Sequence, residues 1–236
     1  MTINRRLGVL GGTFDPIHTG HLRAGEAAGA ALALDEIRVV PAHDPPHRTL
    51  DPRASAFHRF ALIALALDGR PGWRLSDAEL VRTGPSYTAH TLSTLHAEGW
   101  RPAQIFFILG SDAFVEIATW YDFPAVLEAA NFAVIARPGT TLDQAAATTA
   151  AVGRRLRQVA TGARIAPMDT AETGTFLIET NTPDISSSEI RKRLATGRSI
   201  ADLVPAAVAR HIHTHHLYDS SPTVDDLHGK AQRIHG

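Results

Sequence analysis

The sequence predicts an open, doubly wound α/β fold with a mainly parallel sheet. Three observations carry this. Short apolar runs alternate with helix-like stretches along most of the chain. The first run ends in a glycine turn that leads straight into a helical stretch. A later run, residues 105–109, is apolar at every position, as a central parallel strand buried on both faces requires.

In chain order, residues 7–10 read as the first strand and 19–34 as the first helix. Residues 37–41 form the second strand, stopped by Pro41. Asp51-Pro52 reads as a cap with proline at the first helical position, opening a helix to about residue 67. A short strand follows at 73–76, then a helix over 88–99 closed by Gly99. Strands at 105–109 and 132–136 flank a short helix at 124–130. Residues 139–162, rich in Ala and Thr with Arg154, Arg155 and Arg157, read as a surface excursion holding a helix. A late strand at 176–179 precedes helices over 186–196 and 205–216. From Asp219 the chain turns polar, so the expectation is one domain over 1–218 and a loose tail over 219–236.

Composition narrows the function classes. With 236 residues and 44% hydrophobic content the chain can bury a full core. A net charge of −1 and the lack of a basic stripe argue against nucleic acid as a partner. With no cysteine there is no disulfide, thiolate metal site or cysteine nucleophile, which fits a reducing compartment. No apolar run approaches the ~20 residues of a membrane span, and no leader pattern opens the sequence. The expectation is a cytoplasmic protein with no membrane partner; a homo-oligomer is left open.

The most informative stretch is Gly11-Gly12-Thr13-Phe14-Asp15-Pro16-Ile17-His18-Thr19-Gly20-His21. A strand, a glycine turn and a helix start expose backbone N–H groups beside the positive end of a helix, which suits a phosphate. Gly11 and Gly12 permit close backbone approach. His18 and His21, three apart at a helix start, face one side and add donors for charge developing on a reacting phosphate. An isolated His-x-x-His is more often a pair of capping or surface residues; its glycine-rich context reverses that balance. Zinc would need a third ligand, and none is evident, so no protein-held metal is expected. Ser186-Ser187-Ser188-Glu189 reads as a capping box, and a capped helix start is also an anion site. Arg191 lies within reach of it. Gly110-Ser111-Asp112, after a buried strand, offers a carboxylate for a ribose hydroxyl. His211 and His215 are spaced i, i+4, but read as groups at a helix C-terminus rather than a metal clip.

Residues 11–21 resemble the signature of the His-x-Gly-His nucleotidylyltransferases, which have a Rossmann-like fold. Further blocks narrow the likeness: Pro45-Pro46-His47-Arg48, Pro85-Ser86-Tyr87-Thr88, Gly110-Ser111-Asp112, Thr119-Trp120-Tyr121 and Ile185-Ser186-Ser187-Ser188-Glu189-Ile190-Arg191. In this order the chain resembles the bacterial nicotinate-nucleotide adenylyltransferase family over residues 7 to about 218. The resemblance implies transfer of the adenylyl group of ATP to nicotinate mononucleotide, giving deamido-NAD and pyrophosphate. It implies His18, His21 and Arg191 as catalytic residues. It implies Gly11, Gly12, Thr13, Phe14, Gly110, Asp112, Ile185, Ser187 and Ser188 around ATP. Arg48, Thr88, Ala89, Trp120, Tyr121 and Arg137 would then hold the nicotinate nucleotide. Trp120 would stack on the nicotinate ring, and N–H groups near Ala89 and Tyr121 would receive its carboxylate, favouring the acid over the amide. Mg²⁺ is expected with ATP, held mostly by phosphates and water. Pantetheine-phosphate adenylyltransferase shares the first and last blocks but leaves the middle ones unexplained. A non-catalytic nucleotide sensor would not need the histidines.

Overall fold

The computed structural model describes residues 5–45, 52–136, 153, 155–165, 172–180 and 185–219. Its strands are β1 (Leu7–Gly12), β2 (Glu36–Pro41), β3 (Trp73–Leu75), β4 (Ile105–Gly110), β5 (Asn131–Ala136), β6 (Leu156–Val159) and β7 (Thr175–Glu179). Its α-helices are α1 (Thr19–Leu32), α2 (Ala56–Leu67), α3 (Thr88–Ala97), α4 (Ser111–Val115), α5 (Val126–Ala129), α6 (Ser187–Ala195) and α7 (Ala206–Thr214). The strands form one sheet in the order β3-β2-β1-β4-β5-β7-β6, and every neighbouring pair is parallel.

Period-two alternation splits each central strand between two cores. Phe106 and Ile108 face one core with residues of α1, α2, α6 and α7, among them Leu22, Leu62, Ile190 and Ile212. Ile105, Phe107 and Leu109 face the other, with Leu92, Phe114 and Leu127. A fully buried Leu, Ile or Phe contributes roughly 1.5–3 kcal/mol, so the runs that read as continuous apolar strands are where the fold is held.

The topology creates the cleft. From β1 the chain winds outward through β2 to β3, then returns to lay β4 on the other side of β1. The β1–β2 pairing runs on to Gly12↔Pro41, whereas the β1–β4 pairing ends at Leu10↔Ile108. The carboxyl ends of β1 and β4 therefore part at the switch in strand order, where open α/β sheets bind ligands.

Three expectations are corrected. Residues 156–159, within the stretch read as an excursion with a helix, form the edge strand β6. An edge strand of four residues with exposed Arg157 and Gln158 leaves no alternation to recognise; residues 139–152 lie outside the described residues. The second helix opens at Ala56 rather than at Pro52. The N–H groups of Arg53 and Ala54 donate to the Asp15 carboxylate, at 3.0 and 3.1 Å, so this backbone is pinned outside the helix and Ser55 becomes the cap. The first helix stops at Leu32, because Ala33 turns left-handed (φ 51°) and returns its N–H to Gly29. Residues 220–236 of the expected tail lie outside the described residues.

Candidate active site

The cleft is built first from the β1–α1 turn. Phe14 takes a left-handed backbone (φ 52°) and is buried, its ring filling the space where a Cβ on Gly12 would stand. The chain then enters α1 through His18, which is the N-cap. Its Nδ1 accepts the N–H of His21 at 3.3 Å, and the Nδ1 of His21 accepts the N–H of His18 at 3.2 Å. Two imidazoles thus make the reciprocal cap that Ser and Glu make elsewhere. The rings stack, with centroids 3.6 Å apart and planes at 24°. Because both Nδ1 atoms accept, both rings carry their proton on Nε2. Gly20 between them leaves the His18 ring room: a Cβ there would lie 3.0 Å from that ring and 3.6 Å from Ile185, so the ring would have to give way slightly.

His18 and His21 line a cleft of about 370 Å³ with Gly11, Gly110, Asp112 and the 185–188 segment, a volume in the range of small-molecule sites. Two helices of 14 and 9 residues, α1 and α6, begin at its wall, and each presents the positive end of its dipole there. Ser186 caps α6 by accepting the N–H of Glu189 at 3.1 Å. The Glu189 side chain pairs with Arg193 and Arg198, so only half of the expected capping box forms. Ser187 donates its hydroxyl to the Pro16 carbonyl at 2.9 Å, fixing α6 to the glycine turn.

Behind this wall lies a polar hub. Arg191 donates Nη1 to the Asp15 carbonyl at 2.6 Å and Nη2 to the Ser188 hydroxyl at 3.1 Å. Arg59, 1% exposed, donates to the carbonyls of Thr13 at 2.8 Å and Ala42 at 2.6 Å. The expected catalytic and ATP residues thus form two layers. Gly11, His18, His21, Gly110, Asp112, Ile185, Ser187 and Ser188 line the cleft. Gly12, Thr13, Phe14 and Arg191 form the support behind them.

The residues expected to hold the second nucleotide gather around the start of α3. Tyr121, half exposed, stacks on Tyr87 with centroids 4.6 Å apart. The N-cap Tyr87 offers no side-chain bond to the first turn, which holds Thr88 and Ala89. Trp120 stands edge-on to Phe107 at 6.0 Å, and that Phe107 ring occupies the place a Cβ on Gly11 would need. The ring group and the cleft floor therefore share one side chain. Ser86 accepts the N–H groups of His43 and Asp44, tying the loop before Pro45 to the entry of α3. Glu79, buried beneath α3, accepts the Thr91 hydroxyl, and burial pushes its carboxyl above the usual range. Arg48 and Arg137 lie outside the described residues.

A match to the cytidylyltransferase-like family model covers residues 9–193. A Bordetella petrii protein named probable nicotinate-nucleotide adenylyltransferase is 40% identical over 217 residues, covering 91% of this chain and 99% of that one. A Desulfatibacillum aliphaticivorans protein of the same name is 37% identical over 220 residues, covering 90% and 99%. The chain belongs to the nicotinate-nucleotide adenylyltransferase family. In fold it is similar to the Plasmodium falciparum nicotinic acid mononucleotide adenylyltransferase complexed with NaAD, at TM-score 0.66 and 20% identity, covering 91% of this chain and 97% of that one.

For a member of this family, sequence reasoning missed Ser186 as a lining residue and both Asp15 and Arg59 as anchors. By sequence, Asp15 is one residue of the glycine-turn stretch. Its carboxylate in fact reaches residues 53 and 54, a contact no local pattern encodes. Arg59 sits on an otherwise apolar helix face; a charge within such a face is the signal that could have found it. His211 lies 3.2 Å from His58 through ring nitrogens, and burial and the neighbouring imidazoles push it down. Among the described residues, no group of three or more His, Cys, Asp or Glu is placed to hold a metal.

Proposed function

We propose that the β1–β4 cleft is where this adenylyltransferase joins ATP to nicotinate mononucleotide, giving deamido-NAD and pyrophosphate. The observation that carries the assignment is the cross-capped pair His18 and His21. With both Nδ1 atoms engaged by backbone, each ring offers an Nε2 proton at the wall where α1 and α6 begin. The mononucleotide phosphate is already largely ionised near neutral pH, so no strong base is needed. Its oxygen attacks the α-phosphorus of ATP in line as the bond to pyrophosphate breaks. The chain's task is positioning and charge stabilisation.

His18 and His21 donate to the phosphate oxygens as charge builds. The first turns of α1 and α6 add backbone N–H groups, and Arg191 adds positive charge. Asp112 accepts a ribose hydroxyl. Trp120 stacks on the nicotinate ring, and the N–H groups at Ala89 and Tyr121 receive its carboxylate, so the acid is preferred over the amide. Mg²⁺ carried on the ATP phosphates would neutralise charge there, and Asp112 is the carboxylate of the cleft that could touch its water shell.

The test is pyrophosphate release by the purified chain with ATP, Mg²⁺ and either mononucleotide. The expected result is turnover on the acid well above that on the amide. Equal rates would remove the carboxylate role from Ala89 and Tyr121. Turnover that survives His21→Ala unchanged would remove the imidazoles from the reaction.

A further inference from the structure

Helix α2 is polar where it meets the protein and apolar where it faces out. Of its 12 residues only His58 and Arg59 are polar. His58 meets His211 of α7 at 3.2 Å, and Arg59 is buried under the glycine turn, donating to Thr13 and Ala42. The outward stripe runs Phe57, Ala61 and Ala64, spaced i, i+4 and i+7, and ends at the C-cap Asp68. Phe57 is 88% exposed, and Leu65 at the margin of the stripe is 36% exposed. A helix that is apolar all round is ordinarily covered all round. A groove of about 530 Å³ lies at the far end of the same stripe, where Ala64, Leu67 and Asp68 face Trp73 and Leu75 of the edge strand β3. A protruding aromatic ring and an apolar groove thus share one face, the combination that marks an interaction surface.

We propose that this face binds a second copy of the chain, with the two α2 helices antiparallel about a two-fold axis near Ala61. The occupant follows from self-complementarity. Phe57 precedes the groove residues Ala64 to Asp68 by roughly 10–16 Å along the helix, at about 1.5 Å per residue. Antiparallel pairing sets Phe57 of one copy opposite Leu65 of the other. A helical side chain leans toward its own N-terminus, which here directs each Phe57 ring into the groove of the other copy. The small residues Ala61 and Ala64 let the helices approach closely at the crossing. The ends match in charge: exposed Arg53, just before α2, comes beside the exposed Asp68 of the other copy, once at each end. An isologous contact fills both grooves and pairs both ends at once; a lipid surface would use neither the spacing nor the opposite charges. The interface is small, so a Kd of roughly 1–100 μM is expected. The inference does not depend on the chemistry assigned to the cleft.

The experiment is sedimentation velocity of the full chain over a concentration series that spans this Kd. The wild type should pass from monomer to dimer, and its melting temperature should rise with concentration. Phe57→Glu should weaken association about tenfold or more. At the lowest concentration its melting temperature should match that of the wild type, because a side chain this exposed holds no packing in the monomer. Asp68→Arg should weaken association about three- to tenfold by setting like charges together, and adding Arg53→Glu should bring the Kd back to within about twofold of the wild type. A wild type that stays monomeric throughout the series overturns the inference, as does a Phe57→Glu chain that dimerises like the wild type. A dimer that Asp68→Arg leaves unchanged, or that the added Arg53→Glu does not restore, overturns the antiparallel arrangement. A monomeric wild type that co-sediments with phosphatidylcholine vesicles, an association lost in Phe57→Glu, gives the face to lipid and overturns the second copy as its occupant.

Discussion

The two halves of the site are built by different means. The phosphate side is assembled from backbone and helix starts: a glycine turn, two caps, and hydroxyl and guanidinium groups that lock α6 to the turn. Its two imidazoles, His18 and His21, are themselves part of the cap. The ring side is assembled from aromatic side chains at a helix start and a short turn, with Tyr121 half exposed. The difference follows from what each half is proposed to recognise. A polyphosphate is a dense charge that any array of N–H donors can serve, so precision comes from a rigid backbone. A pyridine ring presents faces and one carboxylate, so recognition falls to side-chain planes and a few amides. Damage to the first half should appear in turnover and stability together, and damage to the second in affinity for one substrate.

The sharpest test of that contrast is His21. His21→Ala should lower kcat about 100-fold or more, the loss typical of one preorganised donor at ~3 kcal/mol. It should also cost about 1 kcal/mol of stability, because the N–H of His18 loses its acceptor. His21→Asn should restore the cap, seen as recovered melting temperature, without restoring turnover. If both recover together, the imidazole serves only as a cap. Next in size is Arg59→Met, which keeps the apolar stem but strands the carbonyls of Thr13 and Ala42. Unfolding free energy should fall by about 2–4 kcal/mol, read by urea denaturation, with turnover reduced because the glycine turn loosens.

The same division explains what the sequence made legible. The sheet, both glycine turns and the Ser-rich helix start were readable because each is a local pattern: Leu-Gly-Val-Leu into Gly-Gly, Ile-Phe-Phe-Ile-Leu into Gly, Ser-Ser-Ser-Glu. Their meeting in one cleft follows from parallel topology, which places strand ends on one edge. The hub was not legible, since Asp15 finds its partners 38 and 39 residues away and Arg191 finds Asp15 across 176. Nor was β6 readable, a four-residue strand that exists because β7 offers an edge to pair with. The histidines were readable as a pair, but their mutual capping depends on a backbone geometry that composition does not reveal.

On the ring side, Trp120→Ala should raise KM for nicotinate mononucleotide roughly two- to tenfold, the scale of an aromatic stacking contact. KM for ATP should stay within twofold. A matching rise in both would mean that Trp120 acts through Phe107 on the cleft floor rather than on the ring.

The smallest expected effect concerns pH. Burial raises the Glu79 carboxyl, more than the Thr91 and Ser86 hydroxyls and Arg82 lower it. A carboxyl whose folded pKa lies above its unfolded one favours the fold while both states are protonated. That contribution is lost as pH rises from the ordinary carboxylate range through the raised folded value. Glu79→Gln keeps the acceptor for Thr91 and removes the titration. Its stability should therefore fall less than that of the wild type over that window, measured as melting temperature against pH, while kcat at neutral pH changes little. Parallel curves for the two proteins would mean that Glu79 is ionised in the fold, stabilised by its hydroxyl partners, and that the α3 start is held by charge rather than by a neutral hydrogen bond.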